Sequence, residues 1–86
     1  MDVTVYGQLR GATGKKTVII DFEGDTVRDA LEAFVTEYPR AKRHLFREDG
    51  ELEPSIRVAV DGERVGFDDH CRPKVSLSIH PAMQGG

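Results

Sequence analysis

Apolar and polar residues alternate in residues 3–6, 17–22, 56–60 and 75–80, which is the period of a half-buried β-strand. Residues 7–14 contain three glycines, which interrupt the pattern. We therefore predict a turn-rich loop there that joins the first two strands as a hairpin. Asp61-Gly62 predicts a tight hairpin after the third strand, with residues 63–65 as the short return strand.

A helical period occurs between Thr26 and Pro39. Thr26 predicts the N-cap, with Asp29 in the partner position of a capping box, and Pro39 predicts the end of the helix. Between them, apolar residues recur at helical spacing on an otherwise charged segment, namely Val27, Ala30, Leu31, Phe34, Val35 and Tyr38. This stripe is expected to pack on the sheet and build the core.

The predicted order is strand, strand, helix, strand, short strand and strand. It favours an α+β fold of the β-grasp type, in which a mixed sheet of about five strands carries one main helix on one face. The face toward the helix is predicted to contain Val3, Val5, Val18, Ile20, Phe22, Ile56, Val58, Val60, Val75, Leu77 and Ile79. Between residues 40 and 53 the pattern is weaker, and Leu45 and Phe46 are expected to tuck under the domain.

The opposite face of the sheet is predicted to carry Thr4, Tyr6, Ile19, Arg57, Ala59, Ser76, Ser78 and His80. Tyr6 and Ile19 add apolar area to this face that a surface in contact with water alone does not require, and this favours a binding surface. An ordinary solvated face is the alternative interpretation. We predict that this face docks a partner, through Tyr6, Ile19, Arg57, Ala59 and His80.

Composition narrows the classes of function. The chain has 86 residues, a net charge of −3 and one cysteine, so we predict one small domain with no internal disulfide in a reducing compartment. The acidic balance argues against direct binding of nucleic acid, and no apolar run is long enough to span a membrane. A monomeric cytoplasmic protein is expected. The basic cluster between Arg40 and Arg47 is either a solvated patch or a docking surface for an acidic partner.

Catalytic motifs are not recognisable in the sequence. The segment from Gly11 to Thr17 resembles a phosphate-binding loop but has Lys16 where Ser or Thr is required, and it precedes a predicted strand where such a loop precedes a helix. The three histidines and Cys71 lack the spacing of metal ligands, and no base for a cysteine nucleophile is suggested. We therefore expect no metal and no catalytic site in this chain, and interpret it as a protein on which another enzyme acts.

The sequence finishes on Gly85-Gly86 after the last predicted strand. We interpret residues 1–80 as the folded domain and residues 81–86 as a flexible tail, because terminal glycines add no packing but can enter a narrow channel. Pro81, Met83 and Gly85 would thread this channel, and the Gly86 carboxylate could attack an activated phosphate. A frayed terminus without function is the alternative.

Three motifs in this order resemble the ubiquitin-like β-grasp sulfur carriers and small archaeal modifiers, the group that includes the small subunit of molybdopterin synthase. Leu9-Arg10 with Thr13-Gly14 is similar to the first loop of that family, and residues 26–31 are similar to the start of its helix. Pro81 followed by Gly85-Gly86 is similar to its tail. The resemblance spans nearly the whole chain.

The resemblance implies that an E1-like enzyme adenylates the Gly86 carboxylate with ATP and magnesium, while this chain binds no cofactor itself. The activated carboxylate is then joined to lysines of target proteins, or becomes a thiocarboxylate that supplies sulfur for molybdopterin, a thiamin precursor or tRNA. A tail-cleaving protease is a further possible partner. A third hypothesis is a β-grasp binding module with an idle tail.

Family tails often have an aromatic residue and two prolines where this chain has His80-Pro81-Ala82. An imidazole offers less apolar area than a phenyl ring. This departure favours a protein modifier or a dual role over a dedicated molybdopterin-synthase subunit.

Overall fold

A computed structural model describes residues 1–80 of the chain. The strands are β1 (Asp2–Val5), β2 (Thr17–Ile19), β3 (Arg57–Val60), β4 (Glu63–Val65) and β5 (Ser76–His80). The helices are α1 (Gln8–Thr13), α2 (Val27–Glu37) and α3 (Lys42–Leu45), and a 3₁₀ turn at Pro39–Ala41 lies between α2 and α3.

The five strands form one mixed sheet in the order β2-β1-β5-β3-β4. β1 and β5 are parallel, and the other three neighbouring pairs are antiparallel. The buried stripe of α2 joins the inner residues of the strands in one hydrophobic core, so the predicted mixed sheet with one main helix is confirmed. Between β3 and β4, Asp61 and Gly62 both have positive φ, as a two-residue type I′ hairpin requires.

In the predicted helix stripe, Val35 and Tyr38 are half-buried against the core and the other four residues are buried. The prediction for the inner face of the sheet holds with two exceptions. Val60 and Val75 are only half-buried, whereas the other nine residues predicted for the inner face are buried. Val60 is the last residue of β3 and Val75 directly precedes β5, so both lie where the sheet gives way to turns. Leu45 is fully buried and Phe46 is half-buried, as expected. In the described part of the chain, residues 1–80, none of the helices has the length and apolarity needed to span a membrane.

The start of α2 has the predicted capping box. The Asp29 amide donates to Thr26 Oγ1 at 3.2 Å, and Asp29 Oδ2 accepts from the Thr26 amide at 3.3 Å. The same carboxylate accepts from the Asp25 amide at 3.1 Å. Carbonyls of the loop before β5 accept the next two helix amides, that of Val27 at 3.0 Å and that of Arg28 at 2.7 Å. The orphan donors of the first turn are thus satisfied.

Asp29 makes the stability of the domain depend on pH. Hydrogen bonds from the Asp25 amide, the Thr26 amide and the Thr26 hydroxyl lower the pKa of Asp29 from its ordinary value of 3.8. A lowered folded-state pKa stabilises the fold above the unfolded-state value, and this contribution is lost as the pH falls through the folded-state pKa. Thermal denaturation from neutral pH to below 3.8 should therefore show less acid destabilisation in Asp29→Asn than in the unchanged chain. The exposed Asp21→Asn is the control, and an identical pH dependence in all three proteins would contradict this role.

The glycine-rich segment before β2 is a helix, and the prediction of a loop over residues 7–14 is wrong. α1 spans Gln8–Thr13 and ends at Gly14, which has φ 77° and donates its amide to the Arg10 carbonyl at 2.8 Å. Leu9 is fully buried in the core and half-buried Ala12 packs against it, so these two apolar residues hold α1 against the domain. A 3₁₀ turn and α3 likewise occupy residues 39–45, where no element was predicted.

Two glycines should respond in opposite directions to alanine. A Cβ at Gly24 would clash with the Asp29 Cβ, so Gly24→Ala overpacks the start of α2 and should cost about 1–3 kcal/mol of unfolding free energy. A Cβ at Gly11, inside α1, meets no atom within 4 Å, so Gly11→Ala should stabilise by about 0.5–1 kcal/mol. Urea denaturation measures both. A stabilising Gly24→Ala would show that the close approach to Asp29 does not exist.

Candidate functional site

The last strand ends where the candidate tail begins. β5 lies in the middle of the sheet, and it pairs with β1 as far as Ile79 and with β3 as far as His80. The predicted tail residues Pro81, Met83, Gly85 and Gly86 lie outside the described residues, and their roles stay predictions. The described part of the candidate site is therefore the group of side chains around His80.

His80 belongs to a cluster of aromatic and cationic side chains. Its ring stacks on that of Tyr6, with centroids 4.2 Å apart and an interplanar angle of 8°. The Lys16 Nζ lies 5.7 Å from the centroid of the Tyr6 ring, and Arg57 is the cross-strand partner of His80. We call Tyr6, Lys16, Arg57 and His80 the tail-root cluster. All four are exposed.

The strand register explains this cluster. β1 and β5 run in parallel with Val5 opposite Ile79, so the next residues, Tyr6 and His80, meet at the same end of the sheet. The Tyr6 amide donates to the Ile79 carbonyl at 3.3 Å, which continues the pairing to this point. Tyr6, Arg57 and His80 were predicted for the docking face. Lys16 was not predicted for this face, because its position beside Tyr6 depends on the strand register, which the local sequence pattern does not indicate.

The other two predicted docking residues lie apart from the cluster. Ile19, with 73% of its surface exposed, pairs with Asp2, four residues from Tyr6 along β1, or about 13 Å at the rise of a strand. Ala59 pairs with Ser78 in the row between them and is half-buried. In this middle row, Thr4 and Thr17 share a hydrogen bond between their hydroxyls at 3.3 Å. The predicted face is thus one surface with an aromatic, cationic end and an isolated apolar corner.

Cys71 does not have the environment of a nucleophile. It is 1% exposed, and burial raises the pKa of its thiol, with a smaller contribution from the negative charge of Asp61. The Sγ atom is 3.8 Å from the Arg72 carbonyl, and the Cys71 amide donates to the Asp25 carbonyl at 2.8 Å. These contacts join the loop before β5 to the start of α2, so Cys71 has a packing role.

The structure does not support the resemblance of residues 11–17 to a phosphate-binding loop. Gly14 ends α1, and β2 begins at Thr17, so no helix N-terminus follows the segment to hold a phosphate. Among residues 1–80, no group of three His, Cys, Asp or Glu side chains is arranged to hold a metal ion.

Comparison with known proteins identifies the family to which this sequence is similar. The family model described as ThiS family matches residues 3–86. SAMP1 from Haloferax volcanii has a crystal structure with 33% sequence identity and a TM-score of 0.89, and the match covers 100% of this chain and 98% of that one. A chain of the Amycolatopsis orientalis BexX/CysO complex shares 29% identity at a TM-score of 0.76, over 99% of this chain and 98% of that one. Mycobacterium tuberculosis CysO shares 25% identity at a TM-score of 0.71, over 95% and 98%.

No curated protein sequence matches the chain. The structural matches nevertheless agree with the family model, and the predicted resemblance to ubiquitin-like sulfur carriers and small archaeal modifiers is confirmed together with the β-grasp fold. Because the model accounts for all but the first two residues, this chain belongs to the ThiS family.

Proposed function

We propose that this chain is a ubiquitin-like protein modifier whose reactive group is the Gly86 carboxylate. The observation that carries the proposal is the Gly85-Gly86 pair, six residues after a central strand, in a chain of the ThiS family with 33% identity to a protein named small archaeal modifier. The chain would be the protein substrate of a partner enzyme, and the partner would supply the catalytic groups.

The proposed activation is an adenylation. A carboxylate oxygen of Gly86 attacks the α-phosphorus of ATP and expels pyrophosphate, which leaves an acyl-adenylate. The amine of a target lysine then attacks the acyl carbon and expels AMP, so that an isopeptide bond forms. ATP is a substrate of the E1-like partner, and magnesium would accompany it as a cofactor. A tail that ends on two glycines suits this chemistry because its tip can enter a narrow channel that a larger side chain would block.

Sulfur transfer is the second candidate function, because both functions need the same acyl-adenylate. Attack by sulfide in place of a lysine amine expels AMP and leaves a thiocarboxylate on Gly86. Membership of the ThiS family and the likeness to CysO support this alternative. The two functions differ only in the nucleophile, so one chain can serve both.

Docking on the partner is assigned to the tail-root cluster. The likeness to a chain of the BexX/CysO complex supports a surface that binds a partner protein. Stacked Tyr6 and His80 present rigid aromatic area directly beside the start of the tail, and Lys16 and Arg57 add positive charge. Aromatic groups and arginine are enriched at the centres of protein interfaces.

The proposal is tested with the E1-like enzyme of the same host, ATP and magnesium. The enzyme should exchange pyrophosphate into ATP only when this chain is present, because the exchange requires an acyl-adenylate to form and reverse. Exchange that is equal with and without the chain would refute adenylation by that enzyme.

Arg57→Glu should slow this exchange about tenfold, since it reverses a charge beside the root of the tail without removing the carboxylate. Arg72→Glu is the matched control, because Arg72 is exposed and precedes β5 at its other end. Circular dichroism should be unchanged in both variants. Equal exchange rates for the two variants and the unchanged chain would remove the tail-root cluster from the docking surface.

A further inference from the structure

Positive charge is concentrated in one segment of an acidic protein. Residues 40–47 contain four of the twelve Lys and Arg residues and no Asp or Glu. The rest of the chain therefore has eight cationic against fifteen acidic side chains, a net charge of −7. The segment forms the 3₁₀ turn, α3 and the start of the following turn.

The segment borders a groove on the helical side of the domain. α1 packs beside the 3₁₀ turn, and the fully buried Leu9, Ala41 and Leu45 hold the two against the same core. Between them lies an open groove of about 1270 Å³. Gln8, Gly11 and Ala12 line one wall, and the residues of the basic segment line the other.

The cationic side chains of the groove have no carboxylate partners among the described residues. Within residues 1–80, one ion pair shorter than 4.0 Å is present, and it joins Arg28 to Asp68 away from the groove. Two carboxylates do line the groove, those of Glu48 and Glu53, and the second accepts a hydrogen bond from the Ser55 hydroxyl at 3.2 Å. Four cationic side chains against two carboxylates leave positive charge in excess along the groove.

The groove also offers apolar contact. Half-buried Phe46 and Ala12 and exposed Pro39 lie among the charges. The volume exceeds the roughly 300–1,000 Å³ of typical small-molecule clefts, and the groove is open, so it fits an extended polypeptide better than an enclosed ligand. We propose that this groove docks an extended, acidic segment of a partner protein.

Charge distribution favours a peptide over a nucleic acid. Exposed charges interact over a Debye length of about 8 Å at physiological salt, so a short acidic segment in the groove is influenced mainly by the local cations. A nucleic acid carries dense charge along its whole length and extends over the acidic remainder of the surface, which repels it.

The α1 wall of the groove begins near the end of the sheet at which β5 ends. β1 and β5 are parallel, and α1 begins just after β1, so Gln8 lies near the same sheet end as His80. A partner bound along this wall would therefore lie near the end of β5. The docking goes beyond the proposed function, because it is independent of whether Gly86 is activated.

A labelled glutamate-rich peptide of about ten residues tests the proposal, since its extended length of about 33 Å is nearly that of the domain, which measures 34 Å along its longest axis, and is therefore long enough to cross the groove in any direction. The peptide should bind the full chain at about 0.15 M salt, and a peptide with glutamine at every glutamate position should not. The variant with Arg40→Glu, Arg43→Glu and Arg47→Glu should raise the Kd at least about tenfold. The matched control is the variant with Lys15→Glu, Arg72→Glu and Lys74→Glu, which changes the net charge equally at exposed positions outside the groove and should bind almost normally.

Both triple variants alter exposed side chains, and thermal denaturation checks that they remain folded. Arg43→Gln is a milder second variant, and it should also weaken binding. The proposal is overturned by equal losses in the groove and control variants, by equal binding of the glutamine peptide, or by no binding of the glutamate peptide to the unchanged chain. Tighter binding of a single-stranded oligonucleotide of the same length would overturn it in favour of nucleic acid.

Discussion

Deletion of Gly86 is expected to abolish adenylation while the domain stays folded. The deletion moves the terminal carboxylate back along the tail by one residue, or about 3.3–3.6 Å in an extended chain. A misplacement of about 1 Å from the reactive geometry can already cost about 100-fold in rate, so pyrophosphate exchange should fall by at least that factor. Removal of both Gly85 and Gly86 should give the same result.

Gln84→Ala is the matched control for this deletion, because it changes a tail side chain but keeps the length and the terminal carboxylate. It should retain most of the exchange activity. The hydrophobic core is built from residues of the described domain, so thermal denaturation should be the same for the deletion, the control and the unchanged chain. Normal adenylation of the shortened chain would contradict the proposed role of Gly86 and favour a binding module with an idle tail.

Phe34→Ala should have the largest effect on stability. Phe34 is the largest of the fully buried side chains, it lies on the inner face of α2, and its ring centroid is 5.6 Å from that of Tyr38. Truncation of a buried phenylalanine removes transfer free energy and leaves a cavity, with a typical cost of about 3–5 kcal/mol. The total free energy of unfolding of a small domain is about 5–15 kcal/mol, so Phe34→Ala should remove a large part of the stability.

Urea denaturation measures this loss, with Glu32→Ala as the control on the exposed face of the same helix. The control should change the free energy of unfolding by no more than about 0.5 kcal/mol. A similar small change in Phe34→Ala would mean that α2 does not pack on the sheet through this ring. If Phe34→Ala is unfolded at 25 °C, Phe34→Leu provides a smaller truncation. Its loss of unfolding free energy should lie between those of Phe34→Ala and Glu32→Ala.

The main architecture was predictable because several local signals agree. Thr26 and Asp29 mark the start of α2, and the apolar stripe after them has a single period. Asp61-Gly62 specifies a turn that few other dipeptides form so readily. Alternation then assigned the faces of the strands, including exposed Ile19.

Features that depend on tertiary packing were not predictable. Gly7, Gly11 and Gly14 indicated a loop over residues 7–14, but in α1 the burial of Leu9 outweighed the low helix propensity of Gly11. The tail-root cluster depends on the parallel register of β1 and β5, which no local pattern encodes. The groove combines residues 8–12 with residues 39–53, and only the fold brings these segments together.

The most direct test of the central claim is mass spectrometry of N-terminally tagged chain recovered from its own host and digested with trypsin. Arg72 precedes Pro73, so Lys74 should be the last efficient cleavage site, and a conjugated peptide would carry residues 75–86 as a branch on a lysine. We predict this branch on lysines of other proteins, or a terminal carboxylate with sulfur in place of oxygen where the chain serves as a sulfur carrier. Recovery of nothing except free chains with an unmodified Gly86 carboxylate would contradict the claim that this group is activated.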